Sequence, residues 1–167
     1  MKNIVLVGFM GTGKSGVGKQ LARELNLKFL STDDLIEERE KRRISEIFEK
    51  SGEPYFRKVE KEVVEEVSGL ADVIIAAGGG AVLNEENMAN LRKNGIIVCL
   101  NAAAEVIYER TKRYRHRPLL NVDNPIEKIR QLLETRAPFY AKADYRVDTS
   151  GKTVREVAKE IRGILNV

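Results

Sequence analysis

Short apolar runs alternate along the chain with longer segments in which apolar residues recur every three or four positions. Runs rich in Val, Ile and Leu are typical of strands buried on both faces, and the periodic segments are typical of amphipathic helices. Strands are predicted at 4–7, 28–30, 73–76, 96–100 and 145–147. This regular alternation favours an α/β fold, in which helices cover both faces of a parallel sheet.

The periodic segments also carry signals for helix ends. Pro54, after a turn at Gly52, and Pro125 each suit the first position of a helix, and Thr153 is a candidate N-cap. Another helix is predicted over 33–43, where it begins at two consecutive aspartates. The stripes expected to face the sheet are Val17, Leu21 and Leu25; Val59, Val63 and Val67; and Val157 and Ile161.

Length and composition narrow the class of protein. The 167 residues suit a single domain, and 43% hydrophobic with 32% charged residues is typical of soluble globular chains. No apolar run approaches the roughly eighteen residues that span a membrane, and the N-terminus leads straight into a strand without room for a targeting segment. The single cysteine, Cys99, lies in an apolar run and is expected to be buried and unreactive. We therefore predict one cytoplasmic domain, 1–167.

The segment 8–15 reads GFMGTGKS and matches the P-loop pattern G-x-x-x-x-G-K-[ST] between a strand and a helix. Its glycines let backbone N–H groups turn towards phosphate oxygens, and the following helix adds its N-terminal dipole. Lys14 is expected to reach the β- and γ-phosphates of ATP, and the Ser15 hydroxyl to bind Mg²⁺. The predicted nucleotide-binding residues here are Gly11, Thr12, Gly13, Lys14, Ser15 and Gly16.

Two further segments, STDD after the second predicted strand and GGG after the third, fall at the carboxyl edge of the sheet near the P-loop. A carboxylate there can hold an acceptor hydroxyl in line with the γ-phosphorus and accept its proton, or it can cap the next helix. Spacing alone does not separate Asp33 from Asp34. The bare backbone of Gly78, Gly79 and Gly80 suits close approach of a substrate, with an ordinary flexible turn as the alternative.

Arginines supply candidate anion-binding groups, in a chain of net charge +4 with 29 basic and 25 acidic residues. Arg57 can bind a ligand or pair with a nearby glutamate, and Arg136 can bind a ligand or complement the dipole at its helix end. The basic run at 112–117 lies in a segment long enough to form a mobile lid at about 112–124. The same run can bind nucleic acid, but Tyr114 is its one aromatic residue, so a stacking platform is missing.

Together these motifs resemble those of the shikimate kinase family over nearly the whole chain. The family's P-loop corresponds to 8–15, its E-x-x-F-R motif to 53–57, its triple glycine to 78–80, its R-P-L-L lid motif to 117–120 and its R-x-P-x-Y motif to 136–140. The resemblance implies a P-loop three-layer αβα sandwich with a five-stranded parallel sheet and a mobile lid. It also implies transfer of the γ-phosphoryl group of ATP, with Mg²⁺, to the 3-hydroxyl of shikimate, in aromatic amino acid biosynthesis.

The resemblance further implies how the acceptor is held. Asp33 is the catalytic residue that holds the reacting hydroxyl. Arg57 and Arg136 bind the carboxylate of shikimate, because a guanidinium fork offers geometry as well as charge. The glycine loop 78–80 contacts the ring hydroxyls.

On the nucleotide side, the resemblance implies catalytic roles for Lys14 and for Arg117, which reaches the phosphates from the lid, and it sets Arg110 beside the adenine. One departure is Ser31, which stands where many family members have the first acid of Asp-x-Asp, an acid that helps to hold Mg²⁺. We expect weaker metal binding, or compensation by Asp34, and we expect activity to survive.

The sequence also leaves two alternative functions open. A P-loop kinase for another small hydroxy acid such as gluconate is disfavoured by the paired arginines and the triple glycine. A nucleotide-binding module without turnover is suggested by Ser31. The leading prediction is a monomer that acts on a small molecule and binds neither nucleic acid nor membrane.

Overall fold

The computed structural model of the chain describes residues 1–113 and 122–167. Within them, five parallel strands form one sheet in the order β2-β3-β1-β4-β5. The strands are β1 Asn3–Val7, β2 Lys28–Ser31, β3 Val73–Ala76, β4 Gly95–Asn101 and β5 Tyr145–Asp148. All five predicted strands are confirmed, each end lying within one residue of its predicted position.

The central strands are apolar throughout because the sheet is covered on both faces. Every residue of β1 is buried, and Ile4 lies opposite Ile74 of β3 and Ile96 of β4. Alternate side chains of β1 enter two separate cores, with Val5 on one face and Leu6 on the other. The three-layer arrangement predicted from the sequence is thereby confirmed.

Helices cover both faces of this sheet. Their bounds in the described residues are α1 Lys14–Leu25, α2 Thr32–Glu40, α3 Ile44–Ser68, α4 Glu85–Asn94, α5 Ala104–Thr111, α6 Pro125–Tyr140 and α7 Val154–Leu165, with a 3-10 turn at Ala81–Leu83. Helices α1 and α7 pack on one face, where Leu21 and Ile161 are fully buried, and α3 to α6 pack on the other. None of the described helices is both long enough and apolar enough to cross a bilayer.

Helix ends were predicted less completely than strands. The predicted N-cap Thr153 is confirmed, and it forms a capping box with Glu156. The helix predicted over 33–43 is wrong at its C-terminus, because the chain turns at Lys41, which has a left-handed φ of 54°. A new helix starts three residues later and is interrupted at Gly52, the predicted turn, where φ is 80°. No Gly or Pro marks the first of these breaks in the sequence.

Cys99 lies in the core, as predicted, and is fully shielded from solvent. Burial raises the pKa of its thiol to about 11, from an ordinary value of 9.0. At pH 8 the thiolate population is therefore about 100-fold lower than in the unfolded chain, and the thiolate is the reactive form. We expect a chromogenic disulfide reagent at pH 8 to titrate one thiol in urea and essentially none in the native protein. Equal rates in both states would contradict the burial of this side chain.

Candidate active site

In the loop between β1 and α1, the backbone at Gly8 and at Gly11 is one that only glycine accommodates without strain. Gly8 has a φ of 143° and Gly11 a φ of 76°, and both values lie where other residues are strained. A Cβ atom on Gly8 would overlap the carbonyl oxygen of Leu100, and one on Gly11 would lie 2.6 Å from Cγ2 of Thr111. Gly8 and Gly11 are thus required by the geometry of the loop and by the atoms next to them.

Hydrogen bonds within the loop fix its polar groups. The Thr12 hydroxyl donates to the carbonyl of Phe9 at 2.7 Å, and the Lys14 ammonium donates to the carbonyls of Gly8 and Phe9 at 2.8 and 2.9 Å. Lys14 therefore lies folded back along the loop, with its positive charge beside the backbone that would face a phosphate.

The start of α1 fits an anionic ligand. Gly13 is the N-cap residue of α1, and Ser15 and Gly16 lie exposed in the first turn. The first turn contains no acidic residue. The partial positive charge at this helix end is thus left for a ligand.

Arg110 fastens α5 to the P-loop and to the segment after β5. Its guanidinium donates to the carbonyl of Gly11 at 3.1 Å and to the hydroxyl and carbonyl of Thr149 at 3.0 and 2.9 Å. The buried Thr149 hydroxyl in turn donates to the carbonyl of Thr12 at 2.8 Å. The residue predicted to lie beside the adenine therefore stands next to the nucleotide loop and holds that loop in place.

The structure distinguishes Asp33 from Asp34, which the sequence spacing left equivalent. Ser31 is the N-cap of α2, because its hydroxyl accepts a hydrogen bond from the N–H of Asp34 at 3.3 Å. The alternative in which an aspartate caps this helix is therefore wrong. Asp34 is exposed, whereas Asp33 is half-buried and its carboxylate lies against Gly78, where a Cβ atom would come within 2.6 Å of Oδ1.

Each glycine of the triple-glycine loop lies against a different predicted site group. A Cβ atom on Gly80 would lie 2.5 Å from Nη2 of Arg57. At Gly79 it would lie 3.6 Å from the carbonyl oxygen of Gly8 in the P-loop and 3.7 Å from Nη1 of Arg136. Because the Asp33 carboxylate lies against Gly78, the loop contacts the candidate acid, both candidate arginines and the P-loop.

Arg57 pairs with two glutamates, as one of the sequence alternatives proposed. It lies 3.4 Å from Glu53 and 2.8 Å from Glu60. The second pair is not an ordinary surface pair, because the Glu60 side chain is only 2% exposed. A guanidinium held by a buried carboxylate keeps one orientation.

Glu60 was missed by the sequence analysis, and its environment shows how closely the site is assembled. Burial raises the pKa of this carboxyl, the charge of Arg57 opposes the rise, the charge of Asp33 adds to it and that of Arg136 opposes it. All four groups therefore lie within electrostatic reach of one another. The signal available in the sequence was an acid beside Val59, on the apolar stripe of its helix and three residues after Arg57.

Arg136 is buried although it carries a charge, with 7% of its surface exposed. Its guanidinium stacks over the ring of Phe9 in the P-loop at 5.4 Å from the ring centroid. The residue therefore does more than complement the dipole at the end of α6. Arg117 lies outside the described residues, as do residues 114–121 of the lid predicted at about 112–124.

The sheet order and the glycine loop between strand and helix define the class of this protein as a P-loop α/β kinase, with an acid and two arginines beside the loop. The family whose sequence model matches residues 10–166 is described as shikimate kinase. The chain belongs to the shikimate kinase family.

Relatives and solved structures agree with this assignment. The chain is 53% identical to the shikimate kinase of Caldanaerobacter subterraneus subsp. tengcongensis, over 96% of this chain and 94% of the relative. A shikimate kinase from Acinetobacter baumannii, solved in complex with shikimate, superposes with a TM-score of 0.95 at 40% identity, covering 99% of this chain and 94% of that one. The shikimate kinase of Aquifex aeolicus superposes with a TM-score of 0.84 at 39% identity, covering 98% of this chain and 96% of that one.

Proposed function

We propose that this protein transfers the γ-phosphoryl group of ATP to the 3-hydroxyl of shikimate, which yields shikimate 3-phosphate and ADP for aromatic amino acid biosynthesis. The observation that carries the proposal is the convergence of Asp33, Arg57 and Arg136 on a glycine loop that touches the P-loop. Family membership supports it, as does the likeness to a shikimate-bound structure at a TM-score of 0.95.

The acceptor side suits a small ring that bears one carboxylate and several hydroxyls. Arg57 and Arg136 offer two guanidinium forks to the carboxylate, and such pairs fix orientation as well as affinity. The glycine loop 78–80 offers backbone polar groups to the hydroxyls without side chains in the way. Asp33 then orients the reacting hydroxyl and accepts its proton as the phosphoryl group moves.

The donor side suits a nucleoside triphosphate. The P-loop amides and Lys14 bind the β- and γ-phosphates, Arg110 lies beside the adenine, and Arg117 approaches the phosphates from the lid, which we place at about 112–124. The protein works by positioning the reactants and by stabilising charge, and no covalent intermediate is needed. We propose that 1–167 form one domain.

Mg²⁺ fits this site as a companion of the nucleotide. Among the described residues no group of three His, Cys, Asp or Glu side chains is placed to hold a metal ion. The Ser15 hydroxyl at the start of α1 is the protein ligand we propose, with phosphate oxygens and waters completing the shell. When bound, the ion neutralises charge on the phosphate oxygens. Because Ser31 caps α2 in place of the family's first acid, we propose weaker metal affinity with activity retained.

The test of this function is ADP release from ATP and Mg²⁺ in the presence of shikimate, of gluconate or of no acceptor. We expect release that depends on shikimate and on Mg²⁺. Turnover with gluconate but not with shikimate would identify the protein as a kinase for another small acid. Nucleotide binding without acceptor-dependent release would make it a binding module.

The proposal also covers the location of the protein, its oligomeric state and its binding of nucleic acid. We propose a cytoplasmic monomer that binds a small molecule and not nucleic acid. Size-exclusion chromatography with light scattering measures the mass, which is 18.8 kDa for one chain. DNA binding that survives physiological salt would contradict the last point, since non-specific electrostatic binding weakens steeply with salt.

Substituting Gly80→Ala tests the contact between the glycine loop and Arg57. Gly80 has a φ of −95°, so alanine introduces no backbone strain, but its Cβ atom would lie 2.5 Å from Nη2 of Arg57 and push the guanidinium aside. We expect the KM for shikimate to rise about 10-fold or more, as for a lost charged hydrogen bond, with little change in the KM for ATP. Gly163→Ala, at a position with no atom within 4 Å, is the control. An unchanged KM for shikimate in Gly80→Ala would argue against this role of Arg57.

A further inference from the structure

Tyr140, the last residue of α6, links this helix to the triple-glycine loop. Its hydroxyl donates a hydrogen bond of 3.0 Å to the carbonyl oxygen of Gly79, and its side chain is almost wholly buried, with 4% of the residue exposed. A buried tyrosine hydroxyl that meets a backbone carbonyl far away in sequence fixes both partners. The contact therefore locks the position of the loop relative to α6.

Tyr140 and Arg136 reach the same glycine from one face of α6. They are four residues apart, which places them one above the other on the helix, and Nη1 of Arg136 lies 3.7 Å from the position of a Cβ atom on Gly79. Burial raises the pKa of the Tyr140 hydroxyl, with the charge of Arg136 opposing the rise. The hydroxyl thus remains a proton donor to the carbonyl at neutral pH.

The hydrogen bond to the Gly79 carbonyl also controls a second group. The carbonyl of Gly79 and the N–H of Gly80 belong to one planar trans peptide, so that they point in opposite directions. Between two glycines such a plane turns easily unless something holds it. By fixing the carbonyl, Tyr140 fixes the direction in which the N–H of Gly80 points.

The amides of this loop differ in how they are satisfied. The N–H of Gly78 donates to the hydroxyl of Thr32 at 2.9 Å, and the N–H of Ala81 donates to the carbonyl of Gly78 at 3.0 Å. Within residues 1–113 and 122–167 the N–H groups of Gly79 and Gly80 have no such partner. Two donors are therefore left for a ligand beside Asp33, Arg57 and Arg136.

We propose that Tyr140 is a positioning residue for the acceptor, which sets the Gly79–Gly80 peptide plane so that the N–H of Gly80 meets an acceptor hydroxyl while Arg136 binds the acceptor carboxylate. The inference rests on the proposed phosphorylation of shikimate. It adds a residue that touches neither substrate and acts through the loop that does.

The test is Tyr140→Phe, which removes one oxygen and keeps the ring in the core. We expect the KM for shikimate to rise about 10-fold while the KM for ATP stays within about twofold, since the hydrogen bond is on the acceptor side. Calorimetric binding of shikimate to the apo variant should weaken by the same factor. Tyr145→Phe, at a residue that is 41% exposed, is the control and should leave both KM values unchanged.

The outcomes separate this inference from the function on which it rests. A wild-type protein without shikimate-dependent ADP release would overturn both. Wild-type turnover together with an unchanged KM for shikimate in Tyr140→Phe would overturn the positioning role alone. Equal increases in the two KM values, or loss of kcat with both KM values unchanged, would show general damage to the fold and would also overturn it.

Discussion

We expect Asp33→Asn to lower kcat by about 100-fold to 10,000-fold, the range for removal of a general base. The amide has the shape of the carboxylate and still fits beside Gly78, but it does not accept a proton from the acceptor hydroxyl. The KM for shikimate should change only a few fold, because the contacts proposed for Arg57 and Arg136 remain. Steady-state ADP release across a range of shikimate concentrations separates the two parameters.

Asp34→Asn is the matched control for that experiment. It makes the same chemical change one residue further along the same helix turn, at a side chain that is exposed to solvent. Its backbone N–H, and not its carboxylate, takes part in the cap of α2. Wild-type kcat is expected. If Asp34→Asn lost as much activity as Asp33→Asn, the assignment of the base to Asp33 would be wrong.

The second large effect is expected at Arg136. Removing one member of a buried charged contact costs about 2–5 kcal/mol, so Arg136→Ala should raise the KM for shikimate about 100-fold or more, with a smaller effect on kcat. Arg136→Lys keeps the charge but loses the fork that meets a carboxylate, and it should recover only part of the affinity. Calorimetric titration of shikimate checks binding without turnover.

Arg130→Ala on the same helix separates loss of the site from damage to α6. Arg130 is exposed and pairs with Glu105 and Glu127, and exposed pairs contribute about 0–1 kcal/mol to stability. The KM of the Arg130→Ala variant for shikimate should match that of the wild type. If Arg136→Ala abolished turnover with binding intact while Asp33→Asn abolished binding, the two roles would have to be exchanged.

The fold was accessible from the sequence because parallel strands are buried on both faces. Such strands appear as short apolar runs that hardly depend on context, and 73–76 is a clear example. The end of α2 at Lys41 was not accessible, because a residue other than Gly adopts the left-handed turn and the run of charged residues around it continues without interruption.

The candidate site, like the fold, could be predicted from the sequence only in part. The P-loop was found from local spacing, since its chemistry lies within eight consecutive residues. Glu60 and Tyr140 were not assigned roles. The burial of Glu60 close to Asp33 and Arg136 is set by tertiary packing, and the Gly79 carbonyl that Tyr140 contacts lies 61 residues away. Ser31 was interpreted through what the family has at that position, and its local use as a helix cap became evident only from the geometry.

The central claim is that one cleft holds the acceptor between the P-loop and the group formed by Asp33, Arg57 and Arg136. A crystal structure with shikimate, Mg²⁺ and a non-hydrolysable ATP analogue tests it most directly. We predict that both arginines contact the carboxylate, and that one ring hydroxyl lies about 2.6–3.2 Å from Asp33 and faces the terminal phosphate. Shikimate bound elsewhere, or with its carboxylate turned away from both arginines, would contradict it.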